Sequence, residues 1–307
     1  MQAKKDAALN ALLEPLWPFL NRENLIELSV VNSREVGLEI AGLGYQFETA
    51  LELDHQYWLL LCHVLANKNG IYFHPVRQPR ISTSLPGGHR FEAMVGKNVD
   101  KELSVSIRVK RRVVTSLEAF GLTGDLKERL IQLVREGANM VISGGTSSGK
   151  TTFLNQLIGF IPKDARVLTV EDTQELDIPH VNQKSYLVSR NETNAVIGYA
   201  EMIDHLVRSR PDVIIAGEVS VANAFPILRL LNSGHGGFMC TVHANTPLLA
   251  LTAAIPQNIQ LAGIKTIGVS KLLYQTVDVV LQLHRTSSGE RRVTEILFPK
   301  NREVIIL

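Results

Sequence analysis

Cysteine is nearly absent from this sequence: Cys62 and Cys240 are the two in 307 residues. Two thiols exclude a four-cysteine zinc module. Both sit in apolar runs, LLLCHVLA and FMCTVHA, and read as buried, reduced thiols of a cytosolic protein. A surplus of one charge is missing too. Lys+Arg total 32 and Asp+Glu total 30, for a net charge of +2, which gives no support to a protein built to coat nucleic acid; no direct nucleic-acid contact is expected. Long apolar runs are also lacking. The longest, around Tyr57 to Ala66, is too short for a membrane span and contains His63. The opening segment MQAKKDAALNALLEPLWPFL is broken by Asp6, Glu14, Pro15 and Pro18, so no signal peptide is expected. Internal repeats and low-complexity tracts are absent as well.

What is present is material for two cores. Hydrophobic residues make up 45% of the chain, and its length exceeds that of a usual single domain. The N-terminal stripe Ala8, Leu9, Leu12, Leu13 and Leu16 has helical spacing; packing on its own domain is the expected role, with membrane-surface contact as the alternative. IELSVV, EVGLEIA, RISTSLP, RFEAMVG and LSVSIRVK read as strands around a helix from Asp54 to Asn67, with Gly70 near its end. This part, residues 1–109, is expected to be a smaller α+β domain. KRRVV, residues 110–114, carries Lys110, Arg111 and Arg112 and reads as an interdomain linker.

From residue 115 to 307 strands and helices alternate. Helices are expected over Asp125–Gly137, Lys150–Gly159, Asn194–Arg208 and Ala222–Leu231; strands over NMVISGG, VLTVED, DVIIAGE and GFMCTVHA. The rhythm predicts an α/β domain with a mostly parallel sheet covered on both faces. VDVVLQLHR, ERRVTEILF and EVIIL are expected to form an antiparallel edge, the first two joined by the turn TSSGE.

Between its strand and its helix stands GGTSSGKT, Gly144–Thr151, a match to G-x-x-x-x-G-K-[ST] in the context that the motif requires. Gly144, Gly145, Thr146, Ser147, Ser148 and Gly149 would cradle phosphates with backbone N–H groups, and the helix N-terminus adds partial positive charge. Lys150 would reach the β and γ phosphates and the Thr151 hydroxyl would hold Mg²⁺, with Thr152 completing the set; ATP and Mg²⁺ are the implied cofactors. VIIAGE ends a strand with Glu218, a Walker B candidate and second metal ligand. VEDTQEL puts Glu171, Asp172 and Glu175 at another strand end, where parallel sheets bind ligands. SGHGGFMCTVHANTP holds His235 and His243 around a short strand; from the residues alone each reads as a packed or solvated side chain.

GGTSSGKTT, VEDTQEL, RSRPDVIIAGE and SGHGGFMCTVHANTP, in that order, resemble the Walker A, Asp box, Walker B and His box motifs of the secretion ATPase superfamily. That superfamily drives type IV secretion, type II secretion and type IV pili. Size and the lack of a zinc module resemble the type IV secretion and conjugation branch. The resemblance implies a RecA-like C-terminal domain and an ATPase that forms a homo-oligomeric ring, a hexamer, which is cytoplasmic and peripheral at the inner-membrane face, with inner-membrane secretion components as partners. It implies that His243 senses the γ-phosphate while His235 is structural, and that Arg90, Arg108, Arg208 and Arg210 turn toward nucleotide. Glu171 and Glu218 both remain candidates for the base. Two residues depart from the family pattern: Ser220 stands where arginine is frequent after Gly-Glu-Val, and Ser147 where glycine is common. A pilus assembly or retraction motor and a weakly hydrolysing nucleotide-dependent scaffold are the alternatives. A GTP switch is disfavoured because no N-K-x-D element follows the loop, and a DNA translocase because no basic stripe exists.

Overall fold

A computed structural model of the chain describes residues 9–110, 115–188, 197–286 and 289–307. Ala8, four residues of the expected linker (111–114), the first residues of the helix expected from Asn194 and the two serines of the TSSGE turn lie outside the described residues. The chain divides into two compact units, Met1–Arg112 and Val113–Leu307.

In the first unit, β1 (Leu25–Asn32), β2 (Glu35–Ile40), β3 (Gly44–Thr49), β4 (Arg80–Ser84), β5 (Arg90–Val95) and β6 (Leu103–Arg108) form one sheet in the order β3-β2-β1-β6-β5-β4. Every pairing is antiparallel. Helix α1 (His55–Asn69) is capped by Asp54, which accepts the Tyr57 N–H at 2.9 Å, and it stops at Gly70, whose φ of 65° takes a left-handed turn without steric cost. Trp58, Leu61, Cys62 and Leu65 repeat at helical spacing and are buried. They share a core with Phe91, Ala93 and Val95 of β5, with Val105 and Ile107 of β6, and with Leu9, Leu13 and Leu16. The N-terminal stripe thus packs on its own unit. Strand alternation sends Arg90 and Arg108 to the opposite face, where they are direct cross-strand partners.

The second unit holds α2 (Gly124–Arg135), β7 (Met140–Gly144), α3 (Lys150–Ile158), β8 (Val167–Glu171), β9 (Gln183–Leu187), α4 (Tyr199–Arg208), β10 (Val213–Ala216), α5 (Ala224–Leu231), β11 (Phe238–Val242), α6 (Ile255–Leu261), α7 (Val269–Thr276), β12 (Val279–Arg285), β13 (Arg291–Phe298) and β14 (Glu303–Ile306). The strand order is β14-β13-β12-β7-β11-β10-β8-β9. From β12 to β9 all neighbours are parallel. β7, β8, β10 and β11 are buried along their whole length, as a sheet covered on both faces demands. Ile142, Phe153, Ile215 and Leu281 fill one side, and Val141, Leu168, Ile214 and Cys240 the other. Burial pushes the Cys62 thiol up to about 12 and raises that of Cys240 as well, so neither ionises to a reactive thiolate near neutral pH.

The structure adds to the sequence expectation in places: α6 and α7 follow β11, where no helix was expected. The last three strands form the expected antiparallel edge, β12 pairing with β13 and β13 with β14, and β12 joins that edge to the parallel block by pairing parallel with β7. Five buried residues in a row, Val279–Leu283, are the mark of that interior place. The helix expected from Asn194 starts at Tyr199, with Gly198 before it. β9 was not expected; its polar, largely exposed sequence QKSYL carries no core signal because it is an edge strand.

Candidate active site

Parallel strands end on one edge, and the register aligns their ends here. Ala216 lies beside both Cys240 and Val170, Val242 beside Ser143, and Leu283 beside Gly144. The order β7, β11, β10, β8 therefore sets the phosphate loop, His243, Glu218 and Glu171 side by side along that edge.

The loop leaves β7 under tight steric control. A Cβ on Gly144 would lie 2.5 Å from the Leu283 carbonyl oxygen and from Ser148 Oγ, so only glycine lets the chain turn there. Ser148 Oγ donates to the Gly145 carbonyl at 2.9 Å. Gly145, Thr146 and Ser147 stand exposed above this base, and α3 starts at Lys150. An exposed loop on a helix N-terminus is a cradle suited to an anion such as a nucleotide phosphate. Thr151 and Thr152 are partly exposed on the first turn.

Lys150 is only 8% exposed. Its Nζ donates to the carbonyls of Gly144 at 2.9 Å and Gly145 at 2.7 Å, and lies 3.3 Å from His243 Nδ1. The other ring nitrogen, Nε2, lies 3.0 Å from Glu218 Oε1. An ammonium can only donate, so Nδ1 accepts and Nε2–H donates to the carboxylate. The His243 ring thus joins the cation of the loop to the acid of the Walker B strand in one continuous line.

The two candidate bases stand in different settings. Glu171 is 2% exposed. Its Oε1 accepts the N–H groups of Glu175 and Leu176, both at 2.9 Å, which ties down the chain after β8. The Glu218 side chain is 36% exposed and reaches water. Gly217 lets the two strand ends meet: a Cβ there would be 3.1 Å from Glu171 Cγ. Asp172 and Glu175 follow β8 on the same stretch.

Four residues of the site carry no spacing signal and were not anticipated. Asn223 donates to the Glu218 carbonyl at 2.8 Å and accepts the Ser220 N–H at 2.8 Å; the family-atypical Ser220 is thereby built into the start of α5, its carbonyl accepting the Ala224 N–H at 3.0 Å. Thr241 Oγ1 donates to the Gly217 carbonyl at 2.7 Å. Gln282 Nε2 donates to the Ala244 carbonyl at 3.1 Å, just past His243. Arg291 Nε donates to the Ser147 carbonyl at 3.2 Å.

Other sequence candidates lie elsewhere. His235 precedes β11 at the far edge of the sheet, where Gly237 packs against the Asp212 carbonyl and its N–H meets the Gly137 carbonyl. Burial lowers the His235 pKa, a shift that Asp212 opposes. Arg208 closes α4 and Arg210 precedes β10, so both are exposed at that same far edge. Arg90 and Arg108 belong to the first unit; Arg90 is 3.5 Å from Glu92, and Arg108 also faces Glu27 across β1.

Known proteins resemble this arrangement. The family described as Type II/IV secretion system protein matches residues 85–299. The type IV secretion system protein VirB11 of Bartonella henselae is 30% identical over 93% of this chain and 91% of its own length. A probable conjugal transfer protein TrbB of Sinorhizobium fredii is 34% identical over 72% of this chain and 67% of its own. The crystal structure of the VirB11 ATPase from the Brucella suis type IV secretion system, in complex with sulphate, aligns with a TM-score of 0.51 at 26% identity, covering 98% of this chain and 97% of that one.

Proposed function

The chain belongs to the type II/IV secretion system protein family, and from that we propose that it hydrolyses ATP to power a type IV secretion or conjugation apparatus. It does so as a ring of identical subunits, a hexamer by resemblance, at the cytoplasmic face of the inner membrane and against membrane-embedded components of the apparatus. Among the described residues no helix is long and apolar enough to cross a membrane, so membrane association is peripheral in this reading. Relatives named for type IV secretion and conjugal transfer favour this motor over a pilus motor.

The observation that carries hydrolysis, rather than nucleotide binding alone, is the line Lys150–His243–Glu218. It connects the phosphate end of the site to a partly exposed carboxylate. The loop N–H groups and Lys150 bind the phosphates, and the Lys150 ammonium exchanges loop carbonyls for phosphate oxygens. Mg²⁺, held by the Thr151 hydroxyl and Glu218, would neutralise phosphate charge. Glu218 accepts a proton from the attacking water because its carboxylate has access to solvent. Glu171 holds the Glu175–Leu176 backbone and so positions the neighbouring strand end. His243 reports phosphate to Glu218, since a change in what Lys150 touches alters what Nδ1 accepts. By the family resemblance, Arg90 and Arg108 supply cations for the γ-phosphate; within the first unit the two are direct cross-strand partners.

Glu218→Gln and Glu171→Gln test the assignment, since each keeps shape and removes charge. Glu218→Gln should lower turnover by on the order of a hundredfold to a thousandfold while ATP still binds. Glu171→Gln keeps an acceptor for the two N–H groups and should lose roughly tenfold or less. Full turnover by Glu218→Gln with loss in Glu171→Gln would reverse the roles. A wild type that binds ATP and does not turn it over with its partners present would make the protein a scaffold.

A further inference from the structure

Ser147 sits in the phosphate loop at φ 59°. Glycine adopts that left-handed conformation without steric cost and serine does not, so something else must hold the peptide there. Two residues on, Gly149 is left-handed as well, at φ 92°. A Cβ at Gly149 would stand 2.7 Å from Arg291 Cδ and 3.5 Å from Arg291 Cβ. Both positions face one side chain. Arg291 opens β13 and pairs with Arg285 of β12, whose Leu283 lies beside Gly144. Its Nε donates to the Ser147 carbonyl at 3.2 Å.

That bond orients a peptide plane. In a trans peptide the carbonyl and the following N–H point in opposite directions. With the Ser147 carbonyl tied to Arg291, the Ser148 N–H is aimed across the loop, toward the Gly145 carbonyl at 3.4 Å. The Ser148 N–H is thereby held within the turn that forms the candidate phosphate cradle.

We infer that Arg291 is a positioning residue of the phosphate loop: it holds the Ser147 peptide in its left-handed orientation, offsetting the absence of glycine there. The inference rests on the reading of this loop as a phosphate site and extends it to a residue more than a hundred positions away in sequence. A glycine at 147 removes the steric cost, and with it most of the need for Arg291. The two residues are therefore coupled in a way that a merely structural arginine would not be.

The test uses the full chain as wild type, Arg291→Ala, Ser147→Gly and the double variant, with Arg291→Lys as the conservative change. Hydrogen exchange of the loop amides is read first, and ADP affinity by titration second. Arg291→Ala should speed Ser148 amide exchange and weaken ADP about tenfold each; in the Ser147→Gly background the same change should cost about threefold or less. Arg291→Lys, which still offers a donor, should fall between. Equal losses in both backgrounds, or unaltered exchange in Arg291→Ala, overturn the inference. Should Arg291→Ala fail to fold, Arg291→Gln in the same two backgrounds gives the same comparison. Exchange coupling without ATP turnover in the wild type refutes hydrolysis and leaves this inference standing; turnover without coupling refutes this inference alone.

Discussion

Replacing His243 with alanine cuts the line between Lys150 and Glu218 at its middle. Lys150 keeps the Gly144 and Gly145 carbonyls at 2.9 and 2.7 Å, so the loop retains its ammonium. Glu218 loses the Nε2–H at 3.0 Å, but water replaces it, because the two side chains are 48% and 36% exposed. Exposed pairs of this kind contribute about 0–1 kcal/mol to stability, and the thermal midpoint should barely move. Turnover should respond far more. A donor placed by the protein beside developing charge contributes roughly 3 kcal/mol to the transition state, about a hundredfold in rate. His243→Ala should therefore lower the rate at saturating ATP by about two orders of magnitude and alter nucleotide affinity much less. His243→Gln keeps one donor and one acceptor and should recover part of the loss. The measurements are steady-state phosphate release, nucleotide titration and thermal denaturation on the same preparations. Turnover of His243→Ala within twofold of wild type would refute the relay, whatever its stability.

His235 should act on stability through pH. Burial lowers its folded pKa below the ordinary histidine value of about 6.5, so the unfolded chain binds the proton more readily, and stability rises with pH across this range. Its contribution is complete above about pH 6.5 and is lost as pH falls through the folded pKa; denaturation curves from pH 5 to 8 should flatten in His235→Gln, and an unchanged slope would exclude this residue as the source. A fragment of residues 113–307 contains the whole eight-stranded sheet and should fold and bind ADP, yet hydrolyse ATP poorly for want of Arg90 and Arg108. Full-length turnover by the fragment, at matched protein concentration, would reduce the first unit to a docking module.

The phosphate loop was legible in the sequence because its chemistry is local. Gly144, Gly149 and Lys150 act within eight residues of each other, and each leaves a mark at fixed spacing. Glu218 was legible as an acid ending an apolar strand and His243 only through resemblance; their contact arises from the neighbouring placement of β11 and β10. Asn223, Thr241, Gln282 and Arg291 left no mark. They act by hydrogen bonds to main-chain carbonyls, for which many residue types serve and no spacing is prescribed. β9 escaped because an exposed edge strand needs no apolar face, and the pairing of β12 with β7 because a buried run does not show which strand lies on its other side.

Asn139 gives the far edge of the sheet a separate significance. Its Oδ1 accepts the Phe238 N–H at 3.0 Å, its Nδ2 donates to the Thr276 carbonyl at 2.9 Å, and its own N–H meets Asp278 Oδ2 at 2.8 Å. One residue thereby fixes the starting points of β7, β11 and β12. The alignment of the strands is anchored here, a full strand length from the ends that carry Gly144, His243 and Glu218. An aspartate at 139 would present a carboxylate to the Thr276 carbonyl and loosen the anchor, whereas truncation at His243 or Glu218 leaves it untouched. Mutational damage in this unit is thus spatially sorted. Variants along one edge should be defective in rate yet express normally, and variants along the other should fail in yield before any kinetic constant can be measured.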